Sequence, residues 1–226
     1  GMWSGYGVVA AIGFLRRTPE EILAQAFSIA GIGAPNQLYA GAGPAFRAQE
    51  GSDVKEGIPW SGATAVGALL LAEAGQTGPL RLLDDGEHFR LDGLVDGLGR
   101  QGYVARSYIK FHACCRHVHA PAEALLRLIA EHGIAPRGID AIEVATYSGA
   151  LRLANRPRPQ GFTDIQFSIP YCLGLLACDG PDALMPLMET AVNRPEVVAL
   201  AEKVSLSLDP ELEARFPAET LSRVTI

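Results

Sequence analysis

Large apolar residues recur at helical spacing over residues 3–15 with almost no polar face, which predicts a helix buried on most of its sides. Thr18-Pro19-Glu20-Glu21 then reads as a helix start, with Thr18 as N-cap, proline at the first helical position and Glu21 at the third. The helix that follows turns Ile22, Ala26, Ile29 and Ala30 inward and stops near Gly31 or Gly33. Residues 34–60, rich in glycine and proline, predict a long loop, and a loop of that length inside a compact domain usually carries function. Residues 61–74 are small and apolar, which predicts a central helix that its neighbours approach closely. Glycine and aspartate break 80–99 into turns and short helices, where Asp84-Asp85 and Asp92 with Asp96 read as solvated turn residues.

Beyond residue 102 the periodicity changes. Residues 103–111 read as a strand, 120–132 as a helix with Leu125, Leu128 and Ile129 inward, and 139–147 as a second strand. Strand, crossover helix and strand predict a small α/β unit. Helices are expected again at about 167–178, 181–191 and 195–202, and 204–208 and 221–226 read as further strands joining the α/β unit. The fold class expected is mainly α with an α/β part. Residues 2–102 form part of a helical domain, and 103–226 form the α/β domain with helical return segments.

Composition narrows the functions. A formal charge of −6 with no basic stripe argues against a nucleic-acid partner. The apolar run 62–72 is about half of what a membrane span needs, which argues against a membrane partner. Four cysteines, two of them adjacent at 114 and 115, fit a reduced cytoplasmic protein without disulfides. Gly1 ahead of Met2 reads as a tag remnant. Arginines outnumber lysines sixteen to three, so Lys55 and Lys110 stand where arginine is the default cation, and an ammonium can tune its pKa when buried as guanidinium cannot.

The densest chemistry lies in Ile109-Lys110-Phe111-His112-Ala113-Cys114-Cys115-Arg116-His117-Val118-His119-Ala120, which holds three of the five histidines and two of the four cysteines. Three readings apply. As a metal site, His112, Cys114, Cys115, His117 and His119 have poor spacing, with no C-x-x-C and no second ligand cluster downstream, so no metal or other cofactor is expected. As architecture, the stretch is a strand-to-helix turn with partly buried imidazoles. As a site, Lys110, Arg116, His117 and His119 gather at a helix N-terminus, where they bind carboxylate oxygens and move a proton. Two further stretches matter less alone: Ser52-Asp53-Val54-Lys55-Glu56-Gly57-Ile58-Pro59-Trp60 in the long loop, and Thr163 to Tyr171, where Ser168 reads as an N-cap and Pro170 as an early helical residue.

In this order the stretches resemble the MmgE/PrpD family, which includes 2-methylcitrate dehydratase, cis-aconitate decarboxylase and iminodisuccinate epimerase. The matching residues are Val54-Lys55-Glu56-Gly57-Ile58-Pro59-Trp60, then Lys110 with Cys114-Cys115-Arg116-His117 and His119 ahead of Ala120-Pro121-Ala122-Glu123-Ala124. The third match is Gln166-Phe167-Ser168-Ile169-Pro170-Tyr171 through Ala177-Cys178-Asp179-Gly180. The resemblance implies a large helical domain with a smaller α/β lid, homodimers, no metal, and chemistry on a small polycarboxylate. It places catalytic roles on Lys55, Lys110 and His119 or His117, and substrate binding on Lys55, Lys110, Arg116 and Cys115. Where some members have a histidine five residues beyond the second lysine, Cys115 stands here, which argues against decarboxylation. It also implies that helices preceding Trp3 supply an acidic residue and a histidine, so the stretch in hand is expected to be short of a full site and inactive alone.

A dehydratase is therefore the first expectation. An epimerase or isomerase on the same scaffold would share the proton abstraction without a leaving group, and a catalytically dead binding or oligomerisation module would keep the scaffold alone.

Overall fold

The computed structural model describes residues 4–34, 51, 58–87, 89–100 and 102–226. Most of the long loop expected over 34–60, Lys55 included, lies outside the described residues. The described residues divide into two compact units, one running to Ser107 and the other from Tyr108 onward, with Gly51 joined to the second.

The first unit is built on three helices: α1 (Ser4–Arg16), α2 (Glu20–Ile32) and α3 (Ile58–Glu73). Their shared core is Val9, Ala26, Ala30, Ala65, Ala68, Leu69 and Ala72, and α3 packs on both of the others. Small residues let these axes come close. A Cβ at Gly13 would sit 2.5 Å from Leu23 Cδ1, and the Ser4 and Ser61 hydroxyls meet at 2.8 Å. Two expectations need correction. Thr18 does not cap α2: Pro19 holds the cap position, and the Thr18 hydroxyl is buried without a partner among the described residues. Nor are α1 and α3 buried all round, since Phe14, Leu15, Trp60, Leu70 and Leu71 are exposed. Three helices can cover only the facing stripe of each, whatever the hydrophobicity of the remaining surface. A 3₁₀ turn at Leu82–Asp84, the short helix α4 (Leu91–Val95) and a 3₁₀ turn at Tyr103–Arg106 complete the unit.

The strand expected over 103–111 does not form. After the 3₁₀ turn the chain is irregular as far as Cys115, and Tyr103, Val104, Tyr108, Ile109 and Phe111 are all exposed. Their alternation has no buried face to serve, so no ladder is selected.

In the second unit, α5 (Arg116–His132) packs with β1 (Ile142–Thr146), α6 (Ser148–Leu151), α7 (Phe162–Gln166) and α8 (Ile169–Asp179). They are followed by α9 (Pro195–Ala201), β2 (Val204–Leu208), α10 (Pro210–Arg215) and β3 (Arg223–Thr225). The sheet order is β2-β1-β3, with β1 parallel to β2 and antiparallel to β3. Thus β1, β2 and β3 take the places expected, but the parallel partner of β1 is β2 rather than a strand before α5. Ile142, Val144 and Thr146 alternate inward along β1.

Every residue from Ile169 to Ala177 is buried, so α8 is the centre of this unit. Ser168 caps it as expected, accepting the Tyr171 N–H at 3.1 Å and donating to the Arg156 carbonyl. The helix expected over 181–191 is instead two 3₁₀ turns, Pro181–Leu184 and Glu189–Ala191, on either side of Pro186, which has no N–H to donate.

A candidate carboxylate site at the start of α5

The helix α5 begins four residues earlier than the periodicity predicts, at Arg116, with Pro121 inside it rather than at its start. Proline cannot donate to the His117 carbonyl, but the turn ahead of the helix is anchored by other bonds. Ala113 N–H donates to the Leu184 carbonyl at 2.9 Å, and Cys115 N–H donates to the Gln166 carbonyl at 2.8 Å. The Lys110 ammonium folds back and donates to the Cys114 carbonyl at 2.9 Å. At its other end, Gly133 takes a left-handed φ of 61° and its N–H caps the Ile129 carbonyl. Lys110 therefore sits on an anchored irregular turn, not at a strand end.

Two open cavities flank this turn. The first, about 370 Å³, is lined by Lys110, Arg116, His119 and Glu123 with Tyr108, Ile109, Phe111, Ala120 and Thr220. The second, about 330 Å³, has Lys110 and Arg116 again, with Cys115, Cys114, Gln166 and Phe167. The two cations thus stand between the cavities, His119 belongs to the first and Cys115 to the second. Arg116 is steadied by Tyr108, whose ring centroid lies 5.5 Å from its guanidinium carbon. The positive end of the α5 dipole adds to the field of these side chains.

His119 is buried, and among the described residues its Nε2 has no hydrogen-bond partner. Its pKa is held below the ordinary imidazole value, first by burial, then by the positive charges of His112, Arg116 and Lys110; Glu123 opposes them. At neutral pH the ring is uncharged and available as a base. His112 lies beside it with ring centroids 5.4 Å apart, and His112 Nε2 meets Glu123 Oε1 at 2.8 Å.

His117 points elsewhere. Its Nδ1 is 2.7 Å from the Tyr147 hydroxyl and its ring lies against Phe216. Burial pushes the Tyr147 phenol up to about 12, so it remains a neutral partner across the working range of pH. His117 lines neither of the two cavities. Cys114 and Cys172 are a buried thiol pair: the hydrogen bond between them draws the Cys114 pKa down and raises that of Cys172. Lys55 lies outside the described residues. Upstream of it, Gly51 N–H donates to Asp164 Oδ2 at 3.0 Å, and the Asp164 carboxylate also holds Gln160 N–H and Arg156.

Glu123 and Thr220 belong to the first cavity but escape the sequence reading. Glu123 had a detectable signal, since it stands four residues after His119 on one helix face. Thr220 had none, because its place depends on the chain returning after α10.

The second unit thus gathers Lys110, Arg116 and His119 at one helix start, within a mainly helical chain that carries a small mixed sheet. The family model of the MmgE/PrpD C-terminal domain matches residues 112–226, just over half of the chain, and the protein belongs to the MmgE/PrpD family. No curated protein matches the chain.

Proposed function

We propose that the chain serves a lyase of the 2-methylcitrate dehydratase type, acting on a small polycarboxylate in the first cavity. The observation that carries this reading is the meeting of Lys110, Arg116 and His119 in one cavity of about 370 Å³. Lys110 and Arg116 hold carboxylate oxygens, the guanidinium with a fork that suits a planar anion. Neutral His119 takes the proton next to a carboxylate, and the two cations stabilise the enolate-like charge that develops. His119 then returns the proton to the β-hydroxyl, which leaves as water as the C–O bond breaks and the C=C bond forms. Lys55 is proposed as a further carboxylate-binding cation, and Cys115 as a contact from the neighbouring cavity. The chain is further proposed to be cytoplasmic and to work as a homodimer, without a metal. Among the described residues no helix is long and apolar enough to cross a membrane.

The experiment is incubation with citrate or 2-methylcitrate in deuterated water, followed by proton NMR. Formation of the unsaturated acid by the full-length protein, abolished by His119→Gln, is the expected result. Deuterium exchange without loss of water would replace the dehydratase with an epimerase, and neither change would leave a binding module.

A further inference from the structure

His112 has no part in the mechanism above, yet it is among the few buried polar residues of the second unit, at 5% exposure beside His119 at 7%. Among the described residues, each of the two rings has one buried nitrogen without a partner, Nδ1 of His112 and Nε2 of His119. A buried polar atom left unpaired is costly, so two in adjacent rings call for a reason. Imidazoles joined head to tail by an N–H···N bond have centroids about 5 Å apart, given hydrogen-bond lengths near 3 Å. The 5.4 Å between the His112 and His119 centroids is close to that spacing. The other His112 nitrogen, Nε2, already meets Glu123, whose side chain is 60% exposed.

We propose that His119, His112 and Glu123 form a proton path from the inner wall of the first cavity to its exposed rim. This rests on the reading of His119 as the base. Glu123 is acceptor-only when ionised, so His112 donates to it from Nε2–H and keeps its lone pair on Nδ1. That lone pair fixes the proton of neutral His119 on Nε2 and leaves His119 Nδ1 basic, as a partner on one ring nitrogen sets the role of the other. When Nδ1 takes a proton from a substrate carbon, the Nε2 proton passes to His112 Nδ1 and the His112 Nε2 proton passes to Glu123. One proton leaves the cavity, no net positive charge stays on His119 beside Lys110 and Arg116, and the reverse passage restores both tautomers. The ionisable groups facing His119 are His112, Arg116, Lys110 and Glu123.

The test is long-range proton–nitrogen NMR of the full chain with labelled histidine, without substrate. The expected result is His119 neutral with its proton on Nε2 and His112 protonated on Nε2 toward Glu123. A His119 that carries its proton on Nδ1, or a His112 that donates from Nδ1, overturns the path. Since this readout needs no turnover, it stands if the dehydratase reading fails. With turnover in hand, His112→Phe should lower kcat tenfold or more, leave KM within twofold, and recover when small imidazole buffers are added. A loss of kcat that buffers do not relieve would make His112 a packing residue only.

Discussion

Lys110 and Lys203 make the same kind of bond to different ends. The Lys203 ammonium donates to the Ile139 carbonyl at 2.7 Å, holding the chain ahead of β1, whereas Lys110 faces two cavities. Lys203→Ala should therefore cost about 1 kcal/mol of stability in urea unfolding and leave tricarboxylate affinity unchanged. His119 carries a prediction in pH. Its folded pKa lies below the ordinary value of 6.5, so between the two the unfolded chain binds more protons. Stability contributed by the neutral ring is full above about pH 6.5 and falls as pH drops toward the folded value. Urea unfolding from pH 5 to 7.5 should show the native chain losing more stability on acidification than His119→Gln does. Equal slopes would mean that the ring charges freely in the folded state.

Among the elements, α8 and the start of α5 show why some parts of the fold were legible and others were not. Ser168, Pro170 and the glycine after Asp179 are local signals, so α8 was readable from its own residues. The start of α5 is decided by Leu184 and Gln166, far along the chain, whose carbonyls anchor the preceding turn, and no local pattern carries that. The alternation over 103–111 suggested a strand for the same reason in reverse, since pattern reports propensity and not whether a partner exists. Likewise Lys110, Arg116 and His119 were legible as a cluster by spacing, whereas the turning away of His117 toward Tyr147 depends on β1. The close approach of α8 and α9 gives an element-scale test. A Cβ at Gly174 would stand 2.8 Å from the Val197 carbonyl oxygen, a backbone atom that cannot swing aside. Gly174→Ala should destabilise by about 1–3 kcal/mol, as overpacking does, and a neutral result in urea unfolding would show that the helices slide apart freely.

For the whole molecule, the exposed apolar side chains of the first unit bear on assembly. Phe14 and Leu15 are 82% and 78% exposed, and Leu70 and Leu71 lie open on α3. Exposed apolar surface of this kind favours self-association, most simply as a symmetric pair. Sedimentation at micromolar concentration should give a dimer or larger species through residues 1–33 and 61–75, which Phe14→Glu weakens. A monodisperse monomer would remove the homodimer from the account.

The claim on which the function rests is that Lys110, Arg116 and His119 receive a small polycarboxylate. Titration calorimetry of the folded chain with citrate measures it most directly, with Lys110→Ala in parallel and circular dichroism to verify that the fold is kept. The account predicts binding that weakens by about 1–3 kcal/mol in Lys110→Ala, the scale of a charge-assisted hydrogen bond lost from a site. Equal citrate affinity in the native chain and in a well-folded Lys110→Ala would contradict it.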